Sequence, residues 1–300
     1  MNNTTPCPLR TRDGVNPSVV WLPSGTWPTI IDFFSVRFPD VPIHTWHDRM
    51  NKGEVVSAQG DLIHPSTLYR AGLCVYYYRE IPHETSIPFF ETILNETAHL
   101  LVVDKPHFLP VTPSGIYLKE TLLTRLRHAF ANPDLSPIHR LDRDTAGVIL
   151  FSKNKATRGA YQQLFANRQV HKTYHALART RPDLSFPLTH RSRLVESTPF
   201  FMMREVEGEA NSETLISLKA SRETLSLYQL EPVTGKKHQL RAHMSSLGMP
   251  ILNDVFYPAA QPKQADDHTR PLQLLAKAIE FIDPFGHQTL YFESQLKLDF

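Results

Sequence analysis

Apolar positions near the start of the chain recur at helical spacing and then alternate. Ile30, Phe33, Phe34 and Phe38 share one face of a helix over residues 29–38. A segment around Trp46 ends in Lys52-Gly53, where glycine supplies the left-handed backbone that stops a helix. Glu54-Val55-Val56, a turn at Gln59-Gly60 and a further apolar segment then read as a hairpin. Residues 25–80 therefore predict a small αβ domain. Residues 1–24 carry Pro6, Pro8 and Pro17 among polar residues and read as a flexible arm. Residues 81–97, with Pro82, Pro88 and little periodicity, read as a connector.

From residue 98 onward short strands dominate. Leu100-Leu101-Val102-Val103 and Val148-Ile149-Leu150-Phe151 are apolar runs of strand length. Asn154 is placed to cap a helix reaching about Arg168, with Tyr161, Leu164 and Phe165 on one side. Residues 170–178 alternate, which puts Val170, Lys172, Tyr174 and Ala176 on one face. Residues 215–220 and 224–231 read as a strand pair. Residues 236–247 read as a helix stopped by Gly248 and Pro250. Leu240, Met244 and Leu247 form its buried stripe, and His238, Arg241 and Ser245 share another face. Strands with interspersed helices, but no regular β-α-β alternation, predict an α+β fold for residues 98–300.

Composition narrows the class. Hydrophobic residues make up 41% of the 300, a globular fraction with room for one large or two smaller domains. The net charge of +2 is too small to name a partner. Its distribution says more: from Lys153 to Arg179 there are six Lys or Arg and no Asp or Glu. Beside Tyr174, that run is either a phosphate-binding stripe or a solvated helix face. Cys7 and Cys74 cannot build a disulfide framework and lack zinc-ligand spacing, so they read as reduced thiols of a cytoplasmic protein. No apolar run approaches the ~20 residues of a membrane span, and residues 1–8 lack signal-peptide architecture. His171 and His175 have the His-x-x-x-His spacing of helical zinc sites. On a strand they stand roughly 13 Å apart, too far to share an ion, so no metal is expected.

Four segments carry candidate chemistry. In Val103-Asp104-Lys105-Pro106, followed by Pro113-Ser114-Gly115, a strand runs into a loop. In the stretch from Pro137 to Gly147, Asp142 stands between Arg140 and Arg143, whose charge favours an ionised carboxylate fit to act as nucleophile or base. In Lys172-Thr173-Tyr174, an aromatic beside a cation suits a base next to a phosphate. From Glu231 to His243, a strand end, a Thr234-Gly235 turn and a helix start place Lys236 and Lys237 where a phosphate would bind. Each segment alone also fits an ordinary role: a plain turn, a surface ion pair, a core tyrosine with an extended lysine, a solvated arginine.

Taken in order, the segments resemble the RluA-type RNA pseudouridine synthases. HRLDRDTAGVILFSKN is similar to that family's catalytic motif, KTYHALA to its tyrosine motif, and LEPVTGKKHQLRAHMSSLGMPILNDVFY to its third motif. LLVVDKP resembles its opening strand and PLQLLAKAIEFIDPFG its closing segment, with Gln273 where a histidine often stands. The resemblance runs from about Leu100 to Phe300. Ala146 replaces a common serine, Lys236-Lys237 the usual Arg-Thr, and Thr112-Pro113 a common Val-His-Pro. Residues 25–80 faintly resemble the small ribosomal-protein-like RNA-binding domain often fused ahead of this catalytic domain, without its arginine-rich helix.

The resemblance implies a pseudouridine synthase catalytic fold, a mixed and largely antiparallel sheet with flanking helices. It implies conversion of uridine to pseudouridine in ribosomal or transfer RNA, with no metal or organic cofactor, by a monomer. A paired base is out of reach, so the target flips out of its stack. Asp142 would attack the sugar or act on it as a base, Arg241 would keep Asp142 ionised, and Tyr174 would stack on the flipped uracil. Arg140, Arg143, Lys172, Lys236, Lys237 and His238 would contact RNA. Two other classes stay in view: a catalytically silent RNA-binding or ribosome-assembly factor on the same fold, and a metal-dependent phosphate-ester hydrolase using Asp142 and Asp144.

Overall fold

The computed structural model describes residues 7–81, 83–199, 201–262 and 265–300. The small N-terminal unit contains β1 (Ser18–Trp21), α1 (Ile30–Arg37), α2 (Ile43–Asn51), β2 (Val55–Ser57) and β3 (Cys74–Tyr77). Thr29 caps α1 in a reciprocal capping box with Asp32. Ile30, Phe33 and Phe34 of α1 pack on Trp46 and Met50 of α2 and on Val55, Val75 and Tyr77 of the sheet, a core separate from the rest of the chain.

Two expected boundaries move. β1 lies inside the expected arm, yet Ser18–Trp21 pairs antiparallel with β3 and forms one edge of a three-stranded sheet. The arm is tied down further back as well. The Tyr78 hydroxyl donates to the Arg10 carbonyl, and Arg12 pairs with Glu54 while lying 3.5 Å from the centre of the Tyr78 ring. The first six residues of that arm lie outside the described residues. The expected connector also shortens, because Thr92–Glu96 is an edge strand, β4. Both segments escaped the sequence pattern because edge strands face solvent on much of their surface and show weak alternation.

The larger body follows β4 with β5 (Leu100–Lys105), α3 (Leu122–Ala129), β6 (Ser136–Pro137), β7 (Ala146–Ser152), α4 (Lys155–Ala166) and β8 (His171–Arg179). It continues with β9 (Leu188–Glu196), β10 (Met203–Val206), β11 (Ser212–Arg222), β12 (Leu225–Pro232), α5 (Gln239–Ser246), β13 (Leu274–Ile282) and β14 (Thr289–Glu293). The strands form one sheet in the order β10-β9-β11-β12-β8-β13-β7-β5-β4, with β14 on β13 and β6 on β7. All these pairings are antiparallel except β13 with β7. This is the α+β architecture the sequence predicts. β5 and β7 are buried along their whole length, which explains their unbroken apolar runs.

One contact fixes the spacing of the central strands. Ala276 of β13 pairs with Gly147 of β7 on one side and with Tyr174 of β8 on the other. Gly147 has φ +112°, and a Cβ there would lie 2.2 Å from the Ala276 carbonyl oxygen. No other residue type fits that approach.

Candidate active site

Asp142 lies in the loop entering β7, and its neighbours anchor it. The His139 ring stacks on Phe165 with centroids 4.7 Å apart, and its Nε2 accepts the Leu150 N–H at 3.1 Å. Burial, helped by the charge of Lys172, pushes the His139 pKa down to about 3, so the ring stays neutral and can accept. Leu141 is buried in the core under β5 and β7. The Thr145 N–H closes the loop on the Asp142 carbonyl at 3.2 Å.

Lys105, at the end of β5, braces the loop from behind. Its fully buried ammonium donates to the carbonyls of Pro106, Leu109 and Arg143, each at 2.9 Å. Burial drags its pKa down to about 7, against the opposing pull of Asp144 and Asp142. Three carbonyls in range of three protons favour the ammonium form.

α5 supplies the opposite wall. Arg241 is 1% exposed and makes a bidentate pair with Asp254, Nε to Oδ2 at 2.8 Å and Nη2 to Oδ1 at 2.6 Å. Its Nη1 stands 3.5 Å from Asp142 Oδ2. Burial works against the arginine's charge, but the bonds and charge of Asp254, with the charge of Asp142, hold its pKa above the ordinary value. His238 Nε2 is 3.8 Å from the same Asp142 oxygen. Its ring stacks on Phe256, and burial lowers its pKa.

The helix starts later than expected, at Gln239. His238 takes φ +50°, and the Gln239 side chain rather than a further helical turn ties up the preceding loop. Gln239 Oε1 accepts from Thr234 and from the Lys236 N–H, while Nε2 donates to Glu213 and Thr214. Lys236 and Lys237 are thus in a stapled turn ahead of the helix.

Tyr174 enters from β8. Burial first, and then the negative charge of Asp142, raise its pKa, so the phenol keeps its proton near neutral pH. Lys172 is on the same face; burial lowers its pKa.

Several of these side chains share one cleft of about 730 Å³. Asp142, Tyr174 and Arg241 line it together, although they are 32 and 67 residues apart in sequence. Arg140, Lys172, Lys236, Lys237 and His238 line it too. Arg143 does not. It is held by Asp266 at 2.6 and 2.9 Å and by Asp144 at 2.9 Å, a strong bidentate clasp on the far side of the loop. Arg168, just past α4, joins the cleft; in the sequence it is marked only by its place in the one-sign basic run. Asp254, Lys105 and Gln239 sit within the family-like segments but gain meaning only from their partners.

His190, Glu205 and His243 are the one group with metal-like donors close together among the described residues. His243 is committed to hydrogen bonds there. Gln239 donates into the Thr214 hydroxyl, which can then donate to His243 Nδ1 at 3.0 Å. The Ser212 hydroxyl donates to the Ser192 carbonyl, so its oxygen takes the Nε2 proton of His243 at 2.9 Å. With both ring nitrogens satisfied, a metal does not fit this set.

A mixed sheet with a basic cleft, lined by one carboxylate among the described residues, suits an enzyme acting on a polyanion. Comparison with known proteins narrows this. The family described as RNA pseudouridylate synthase matches residues 99–246. The dual-specificity RNA pseudouridine synthase RluA of Vibrio parahaemolyticus is 30% identical over 208 residues, covering 65% of this chain and 79% of that protein. RNA pseudouridine synthase 5 of Arabidopsis thaliana is 26% identical over 280 residues, covering 79% of this chain and 74% of the relative. The solved structure of human RNA pseudouridylate synthase domain containing 4 superposes with a TM-score of 0.54 at 26% identity, over 68% of this chain and 88% of that one. The chain belongs to the RluA-type family of RNA pseudouridine synthases. It is an isomerase acting on RNA. Among the described residues no helix is long and apolar enough to cross a membrane.

Proposed function

We propose that the cleft isomerises a flipped-out uridine of ribosomal or transfer RNA, with Asp142 as the reacting group. One observation carries this reading. Among the described residues, Asp142 is the only carboxylate lining a cleft that also receives Arg140, Arg168, Lys172, Lys236 and Lys237. Such a wall attracts phosphates, while the lone anion meets the sugar between them.

The reaction balances within the substrate. The N1–C1′ bond breaks, the uracil turns, a C5–C1′ bond forms, the C5 proton leaves and N1 gains a proton. Asp142 starts it by attacking C1′, and that ester bond breaks again as C5–C1′ forms, or by taking a ribose proton that it returns in the closing step; in both routes its carboxylate acts with Arg241 Nη1 3.5 Å away. Tyr174 offers a protonated phenol and an aromatic face to the freed uracil. Arg140, exposed at the rim, fills the space the base leaves or holds a phosphate. His238 contacts the substrate beside Asp142. The enzyme works as a cytoplasmic monomer. The small N-terminal unit adds RNA contacts through Arg37, His44, His47 and Lys52, which are exposed along α1 and α2. Replacing Arg37 and Lys52 together by Ala should weaken RNA binding; unchanged affinity removes that role.

Pseudouridines are mapped in total RNA from cells with and without the protein. At least one site disappears without it and returns with the wild-type chain, but not with Asp142→Asn, which still binds RNA. No lost site, or restoration by Asp142→Asn, sinks the reading.

A further inference from the structure

Arg241 faces two carboxylates and treats them unequally. Asp254, with no side-chain exposure, takes two bonds at 2.6 and 2.8 Å, within the range of strong charge-assisted pairs. Asp142, with 20% side-chain exposure, receives a single approach at 3.5 Å, and Arg241 Nη1 has no hydrogen-bond partner. A guanidinium that turned to grip Asp142 would abandon a buried carboxylate, which has no water to replace the bonds.

Asp254 is itself fixed. Its Oδ1 accepts the backbone N–H groups of Phe256 and Tyr257 at 2.8 and 3.2 Å. The same turn places the Phe256 ring 4.9 Å and the Tyr257 ring 5.6 Å from the guanidinium carbon. Phe256 also stacks on His238, and the Tyr257 hydroxyl lies 3.4 Å from His238 Nδ1. Both groups bordering the Asp142 carboxylate, Arg241 and His238, therefore take their positions from the segment that Asp254 organises.

We propose that Asp254 is a positioning residue for the isomerisation: it holds Arg241 where the guanidinium attracts the Asp142 carboxylate without capturing it. This rests on the reading of Asp142 as the reacting group. A carboxylate locked in a bidentate pair has its lone pairs occupied and reacts poorly. One approached from a distance keeps its lone pairs free to meet the ribose.

The test uses an RNA stem-loop transcribed around a uridine mapped as above, with rates from single-turnover assays and Kd from direct binding. Asp254→Asn keeps the shape and removes the charge. The expected result is a fall in rate of about 10²-fold, as for a displaced catalytic geometry, with Kd changed less than about 2-fold. In an Arg241→Gln background the same substitution should cause no further loss, because Asp254 acts through Arg241. If Asp254→Asn fails to fold, Arg241→Gln alone is compared with the double variant, which leaves no uncompensated arginine charge; equal rates are expected. The proposal falls if Asp254→Asn keeps its rate, if rate and Kd worsen in parallel, or if the double variant is slower than Arg241→Gln. A wild-type protein inactive on every mapped RNA would instead overturn the reading of the cleft itself.

Discussion

Lys105 Nζ donates to the carbonyl of Arg143 at 2.9 Å, across 38 residues of chain, and so joins the end of β5 to the loop that carries Asp142. The carbonyls of Pro106 and Leu109 complete its shell. Lys105→Met fills similar space but leaves those acceptors unsatisfied. Losing the brace should lower stability by about 2–4 kcal/mol, measured as a shift of the urea midpoint at constant slope. Activity should drop further than RNA affinity, since the cleft walls remain. A variant as stable and as active as the parent would show that the brace is dispensable.

Tyr174 offers a ring and a hydroxyl, and two substitutions separate them. Tyr174→Phe keeps the aromatic face, so RNA affinity should hold while the rate falls. Tyr174→Leu also removes stacking and should weaken binding by about 1–3 kcal/mol. Binding titrations and single-turnover rates on the same RNA give both quantities. Equal rates for Phe and Tyr would confine the residue to stacking.

The cations in and beside the cleft differ in their commitments. Arg168 is exposed and borders the cleft, whereas Arg143 is clasped by Asp266 and Asp144. Arg168→Ala should reduce the slope of log K against log salt by about 0.7, the value for one contact to single-stranded RNA. Arg143→Ala should leave that slope unchanged and lower stability instead. A reduced slope in Arg143→Ala would place that arginine on the RNA.

His243 lies fully buried in α5, and burial holds its pKa at about 4, against 6.5 for an ordinary histidine. Between those values the unfolded chain binds more protons than the folded one, so stability rises with pH and is lost as pH falls. From pH 6.5 to 5 the loss should be about 1.5 kcal/mol for this residue, and His139 adds to it in the same direction. Urea unfolding at the two pH values measures it. His243→Gln, which can keep one donor and one acceptor, should lose less over the same interval; an identical loss would assign the effect to other groups.

The motif-bearing segments were legible because each is local. The alternation over residues 170–178 places Lys172 and Tyr174 on the cleft face of β8, and Asn154 caps α4 as its side chain predicts. What stayed hidden is relational. Arg143 looks like Arg140 in sequence, but the neighbouring Asp144 and a distant carboxylate, Asp266, hold it outside the cleft lining. The helix begins three residues later than the pattern predicts because the Gln239 side chain, not backbone propensity, sets the turn at Lys236. Asp254 could have been suspected from its place in the third motif, yet its bond to Arg241 depends on a loop that returns to α5 after the helix has ended.

Ala276 pairs with Gly147 on one flank and Tyr174 on the other. Until β13 has been made, the strand after the Asp142 loop and the strand bearing Tyr174 have nothing between them to set their separation. A chain emerging from the ribosome therefore carries Asp142, Tyr174 and even Arg241 long before it carries an enzyme. Its competence should arrive in one step, when residues 274–282 slot into the sheet, and not accumulate gradually during synthesis.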